Sequence, residues 1–200
     1  LLLFPNHKYC INLGGFANIS IKKKEKIIAF DICPANIVLN DICKELGIEY
    51  DCNGDISQQG KIIPTLLQQL NQLNFYIKKS PKSLGREWVE EHVFPILKNH
   101  RSEDMLCTFC EHIAIQIGNF LADESALFTG GGVFNSFLME RITFHSKAKI
   151  LVPNKELIEF KESLIFAFIG VLKIRGEVNC LKTVTGADID NCGGIIHFSS

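Results

Sequence analysis

The chain has 200 residues, 46% of them hydrophobic, with 21 basic and 22 acidic residues for a formal net charge of −1 at pH 7. That is enough apolar material for one domain with its own core, which excludes a mostly disordered chain. The balanced charge offers no electrostatic footprint for nucleic acid or an anionic membrane, and the most apolar stretch, 164–172, falls well short of the roughly 20 residues that span a bilayer.

Three β-prone runs come first, "YCINL" (9–13), "NISIK" (18–22) and "KIIAF" (26–30), spaced as an antiparallel meander. Between the first two stand Gly14 and Gly15, which suit either a tight turn or a backbone stripped of side chains for the approach of a ligand. Lys22, Lys23, Lys24 and Lys26, interrupted by Glu25, read as a solvated hairpin tip. After Pro34, "ANIVLNDICKELG" carries a mixed helical pattern that stops at Gly47. Residues 57–100 read as mostly helical, with an apolar stripe of Ile63, Leu66, Leu67 and Leu70 and "SPKSLGREW" as a polar interruption. A helix over about 104–122, a strand at 126–129, a glycine triplet, a helix at 133–142, a strand at 149–152 and a helix at 161–175 follow. The order β-β-β-α-β-α-β-α with a helical insertion implies an α/β fold, a mixed sheet with helices on its faces. It is the order of the ribonuclease-H-like (actin-like ATPase) lobe, in which ligands bind at strand ends.

Eight cysteines are scattered through apolar segments of a chain too large to need stapling, and read as reduced and mostly buried, in a cytoplasmic protein. "CTFCEH" (107–112) has no second cysteine pair at zinc-site spacing. Leu106, Phe109, Cys110, Ile113, Ile117 and Phe120 recur there at helical spacing, so the segment reads as a core stripe. None of the six histidines receives a chemical role.

Three segments carry chemistry, each beside a plainer reading. In "LFTGGGVFN" (127–135) a strand runs through three glycines into a helix, a junction that suits phosphates or serves only as a turn. In "FDICPAN" (30–36) Asp31 leaves a strand end, placed to hold Mg²⁺ through water or simply to cap a helix. "SPKSLGRE" (80–87) offers cationic and hydrogen-bonding groups to a sugar or phosphate, or is an exposed connection.

Taken together, "INLGGFANIS", "FDICPAN", "YDCNGDISQQG", "PKSLGREW", "FTGGGVFNSFLM", "KESLIFAF" and "TVTGA" occur in the order, and at about the spacing, of the anhydro-N-acetylmuramic acid kinase family. The chain resembles that family over essentially its whole length. The resemblance implies a two-lobed cytoplasmic sugar kinase of cell-wall sugar recycling. With ATP and Mg²⁺ it opens the 1,6-anhydro ring with water and phosphorylates the 6-oxygen, giving N-acetylmuramic acid 6-phosphate.

By that resemblance, Asn12, Gly14, Gly15 and Asn18 match a phosphate-binding hairpin of the second lobe, and Gly130, Gly131, Gly132 and Asn135 a nucleotide-binding turn. Asp31 and Asn36 match an Asp-Thr-Gly-Pro-Gly-Asn segment facing the cleft between lobes. Lys82, Ser83, Gly85, Arg86 and Glu87 match a Lys-Ser-Thr-Gly-Arg-Glu loop near the sugar, and Glu162 a Glu of the sugar site. Residues 1–200 then correspond to the second, C-terminal lobe. The catalytic base and a first-lobe phosphate loop fall before Leu1, so no residue here inherits the base or a metal-ligand role. The expectation is a fragment inactive without its N-terminal lobe. Homodimerisation is a further expectation of the resemblance, to which composition adds nothing. The departures are Ile32, Cys33 and Ala35 for Thr, Gly and Gly, Asn40 for an Asp, Leu84 for a Thr and Ser163 for an Ala. They leave open a second reading, a non-catalytic or divergent binding lobe of the same superfamily.

Overall fold

The computed structural model describes residues 2–24 and 26–197. Strands β1 (Tyr9–Leu13), β2 (Phe16–Lys23) and β3 (Lys26–Pro34) form the expected meander. Strands β4 (Ser125–Thr129) and β5 (Lys149–Leu151) join it in parallel, giving the sheet order β3-β2-β1-β4-β5. This is the ribonuclease-H-like arrangement. Lys22, Lys23, Lys24 and Lys26 are exposed at the β2–β3 tip, while Glu25 lies outside the described residues.

Period-two alternation decides which face of the sheet meets the core. Tyr9, Ile11 and Leu13 of β1 and Ala17, Ile19 and Ile21 of β2 are buried on one face. Cys10, Asn12, Asn18 and Ser20 point to the other, polar face, which is only half-buried.

Eight α-helices occur among the described residues, α1 (Asn36–Glu45), α2 (Pro64–Asn71), α3 (Arg86–His92), α4 (Phe94–Leu97) and α5 (Ser102–Gly118) between β3 and β4, α6 (Ser136–His145) between β4 and β5, and α7 (Lys155–Ile174) and α8 (Lys182–Thr185) after β5. Helix α5 packs against β3, α1, α2 and α6, and its Leu106, Phe109, Cys110, Ile113 and Ile117 are fully buried. The predicted core stripe is therefore the centre of the molecule. Burial pushes the Cys110 thiol up to about 12, so it is inert as a nucleophile. All eight cysteines are free; Cys33, Cys43, Cys107 and Cys110 are buried, whereas Cys52 and Cys180 are exposed, so burial is less general than expected.

Between 57 and 100 the helices are shorter than the sequence pattern suggests. Pro64 starts α2, Gly85 caps α3, and Pro95 sits in the first turn of α4. Each proline suits a first turn, where its missing N–H costs nothing, and so divides the segment.

Helix α5 also carries a buried polar network. The His112 ring lies 2.7 Å from Asn71 Oδ1 through Nδ1 and 2.8 Å from the Tyr76 hydroxyl through Nε2. Asn71 Oδ1 accepts from Gln116 as well. An acceptor at Nδ1 makes His112 the Nδ1–H tautomer, with Nε2 accepting from Tyr76. Burial pushes its pKa down to about 3, so it stays neutral. Nearby, Glu111 receives two hydrogen bonds from Arg141, at 2.6 and 3.0 Å, and lies 2.7 Å from His145 Nε2, tying α5 to α6.

The last long helix, α7, begins at Lys155, six residues before the expected start. Asn154 caps it, its Oδ1 accepting from the Leu157 N–H at 3.0 Å. Of its 20 residues only Ile158 and Leu172 are buried. Phe160, Phe166, Val171 and Ile174 are exposed. Among the described residues no helix is long and apolar enough to cross a membrane.

Candidate functional site

The turn between β1 and β2, the start of α1 and the glycine triplet after β4 meet at one place. The carbonyl of Gly15 accepts from the N–H groups of Ala35 at 2.8 Å and Ile37 at 3.1 Å, and that of Gly14 from Asn36 at 3.2 Å. These bonds replace a side-chain cap at Ala35 and leave Asp31 out of capping. Neither Gly14 nor Gly15 takes a positive φ, so the left-handed region is not what requires glycine there. A Cβ on Gly14 would stand 3.2 Å from Asn12 Nδ2, tighter than ordinary packing.

The triplet divides its work. Gly130 has φ 88° and ψ 163°, and a Cβ there would meet the Leu13 carbonyl oxygen at 2.6 Å and Asn12 Oδ1 at 2.7 Å. A Cβ on Gly132 would meet Leu13 Cβ at 2.8 Å. Gly131 faces open space. The chain then makes a 3-10 turn over Gly131–Phe134, and α6 starts at Ser136 with Asn135 as its cap, Oδ1 accepting from Leu138 N–H at 2.9 Å. The expected direct passage from glycines into a helix at 133 is thus delayed by one turn. Gly130, at positive φ, stands immediately before that turn.

Two cavities flank this junction. One, of about 620 Å³, is lined by Asn36, Gly131, Gly132 and Asn135 of the predicted residues, with Tyr50, Phe134 and others. A volume of this size takes a nucleoside-sized ligand. The other, of about 550 Å³, separates the polar sheet face from α7; Asn12, Asn18 and Glu162 line it, with Thr129 and Lys161. Gly14, Gly15 and Gly130 line neither of these two cavities.

Asp31 and the 80–87 loop sit elsewhere, on the edge strand. A register shift between Ala17 and Asn18 leaves Ile32 unpaired beside Asp31. Asp31 Oδ2 accepts from Leu84 N–H at 2.8 Å, and its own N–H donates to the Lys82 carbonyl at 3.1 Å. Lys82 turns inward, its ammonium 4.3 Å from the Phe75 ring centroid and donating to the Phe75 carbonyl at 3.2 Å. Burial lowers its pKa. Ser83 is exposed and Gly85 half-buried, while Arg86 and Glu87 form the first turn of α3. Arg86 pairs with Asp41 at 2.9 Å and Glu90 at 2.8 Å. The fold sets Asn36, Gly131, Gly132 and Asn135 on one cavity and Asn12 and Asn18 on the other, keeps Asp31 on the edge strand, and does not bring the 80–87 loop to the cavity that holds Glu162.

A model of the family described as anhydro-N-acetylmuramic acid kinase matches residues 4–199. The chain belongs to the anhydro-N-acetylmuramic acid kinase family. Curated relatives of that name include one from Pseudomonas syringae pv. syringae, 32% identical over 91% of this chain and 54% of its own length. Another, from Aliivibrio fischeri, is 31% identical over 94% of this chain and 55% of its own. The chain spans about half the length of these relatives. Among solved structures, the activator of the 2-hydroxyisocaproyl-CoA dehydratase from Clostridium difficile, with bound ADPNP, superposes with a TM-score of 0.52. That match has 17% identity over 88% of this chain and 65% of the other, and bears on the fold alone.

Sequence reasoning missed Lys161, whose ammonium donates to Asn12 Oδ1 and reaches Thr129 Oγ1 at 3.5 Å. Its signal was available: it directly precedes Glu162 at the start of the expected last helix. Tyr50 and Phe134, both largely exposed on the wall of the larger cavity, carried none, because exposed aromatics are common in loops.

Proposed function

We propose that the chain is the second lobe of an anhydro-N-acetylmuramic acid kinase, with ATP held at the junction of the β1–β2 hairpin, Asn36 and Gly130–Gly132. The observation that carries this is the cavity at the C-terminal ends of β1 and β4, walled by Gly131, Gly132, Asn36 and Asn135. Gly131 leaves its backbone bare toward that space, as a phosphate or ribose requires. When bound, ATP supplies the phosphoryl group for the sugar 6-oxygen. The chain's residues hold it: Gly131, Gly132 and Asn135 wall the cavity, and Asn36 offers a carboxamide. Among the described residues no three His, Cys, Asp or Glu side chains converge on a metal position. In this reading Mg²⁺ accompanies the nucleotide's phosphates.

Glu162 and the polar face of Asn18 and Ser20 suit the hydroxyls of an amino sugar in the smaller cavity. The 82–87 loop, docked on Asp31 at the sheet edge, stays outside that cavity and takes no part in this reading. A further lobe carrying the catalytic base accounts for two facts, the half-length match to the relatives and the apolar exposure of α7.

The test is to incubate the full-length protein with ATP, Mg²⁺ and 1,6-anhydro-N-acetylmuramic acid in H₂¹⁸O and analyse the sugar by mass spectrometry. The expected product is a sugar 6-phosphate with one ¹⁸O at the anomeric carbon. ATP bound without any sugar phosphate formed would favour the non-catalytic lobe instead.

A further inference from the structure

We propose that Lys161 is an oxyanion anchor, joining the Asn12 carboxamide at the C-terminal ends of β1 and β4 to receive a phosphate or carboxylate group of the ligand. The inference rests on the reading of this junction as a ligand site, and adds to it a residue from α7.

Asn12 and Thr129 are register partners on parallel strands, and Lys161 reaches both from across the smaller cavity. An ammonium can only donate, so the Asn12 atom that meets it is Oδ1. That fixes the carboxamide the other way round at its far end. Nδ2 then points toward Gly14, where a Cβ would stand 3.2 Å from it. A Cβ on Gly130 would stand 2.7 Å from the same Oδ1, so glycine there leaves that oxygen room beside Lys161. Lys161 thus orients an N–H donor at the glycine hairpin while its own charge stands beside it.

The charge itself is incompletely met. Lys161 is half-buried, and among the described residues it forms no ion pair; its two partners are a neutral amide and a hydroxyl. Burial lowers its pKa, with the neighbouring Glu162 opposing the shift. A partly desolvated cation without a carboxylate partner, beside an oriented amide donor, is complementary to an anionic oxygen.

Binding of inorganic tripolyphosphate and of N-acetylmuramic acid, which carries a lactyl carboxylate, tests this by calorimetry on the full-length protein without turnover. Lys161→Met is expected to weaken one of them at least tenfold with unchanged melting, and Lys161→Arg to restore most of it. Loss for tripolyphosphate assigns a nucleotide phosphate; loss for N-acetylmuramic acid assigns the sugar carboxylate. Asn12→Asp places a carboxylate against Lys161, so it should keep the fold and abolish the same binding. Should Lys161→Met fold poorly, the Lys161 side-chain NMR signal, assigned by its absence in Lys161→Arg, should move on titration. Wild-type affinity for both probes in Lys161→Met and Asn12→Asp, or an unmoved Lys161 signal, would overturn the proposal. Kinase activity is scored separately by sugar phosphate formation, so an active enzyme with an indifferent Lys161 remains distinguishable from a failed kinase reading.

Discussion

The glycine triplet makes a contrast that separates fold from site. Gly130 holds φ 88° and ψ 163°, a region open almost only to glycine, so an alanine there costs about 1–3 kcal/mol in backbone strain. Its Cβ would also stand 2.6 Å from the Leu13 carbonyl oxygen, a backbone atom that cannot swing away. Overpacking of that kind adds about 1–3 kcal/mol. Gly130→Ala should therefore lose on the order of 4 kcal/mol, a large part of a typical domain's stability. At about 2–4 °C per kcal/mol for a chain of this size, melting falls by roughly 8–16 °C. Gly131 is the opposite case, with no atom within 4 Å of its would-be Cβ and no positive φ. Gly131→Ala should melt at or slightly above the wild type, with a gain of about 0.4–1 kcal/mol from the unfolded chain. Its methyl group stands at the wall of the larger cavity, so ATP affinity should fall about tenfold. Thermal denaturation followed by circular dichroism gives the first quantity and titration calorimetry the second. Equal melting of the two variants would refute the packing argument, and wild-type ATP affinity in Gly131→Ala would refute the placement of the nucleotide.

Acid should destabilise the fold through two groups, His112 first and Glu111 at lower pH. His112 has a folded pKa of about 3 against an ordinary 6.5, so the unfolded chain binds its proton first and stability rises with pH between those values. About 2 kcal/mol should be lost between pH 7 and pH 5, and His112→Gln should flatten that part of a urea-unfolding profile; an unchanged slope would sink the assignment. For Glu111 burial acts to raise the pKa, but the bonds and charges of Arg141 and His145 outweigh it and hold the carboxyl below its ordinary 4.5. Its contribution is present above that value and disappears only as pH falls below it, so Glu111→Gln should alter the profile there. The cysteines report on the site directly. Cys52 and Cys180 should react with iodoacetamide while Cys33 and Cys110 resist, and ATP should slow Cys52 alone, since only it lines the larger cavity. Mass spectrometry of tryptic peptides reads this, and equal protection of Cys180 would contradict the location.

The sheet was legible because alternation is strict where one face is buried and one is not. The run 9–13 coincides with β1, and Ile11 and Leu13 fall on the covered face because slipping by one residue would expose them. Helix starts were less legible, since they depend on single caps. Asn154 begins α7 before its apolar stripe does, and Asn135 begins α6 only after the turn over Gly131–Phe134. Neither asparagine stands out in a sequence with polar residues in every loop.

The departures in "FDICPAN" take on a different meaning once placed. Cys33 and Ala35 occupy positions where glycines were expected, which from the sequence alone implies a harder approach of ligand to backbone. Both are fully buried, and the Ala35 N–H is bonded to the Gly15 carbonyl. Their side chains fill the inside of the hairpin junction, away from the cavity, while Asn36 keeps its place on the cavity wall. The substitutions thus change how the junction is packed and leave the surface offered to a ligand in place. Asp31, by contrast, keeps its expected identity and spends one carboxylate oxygen on the Leu84 amide. In this chain, residue identity along the segment is a poorer guide to chemistry than the side of the junction each residue faces. The three strands and α1 that set those sides were the part most plainly written in the hydrophobic pattern.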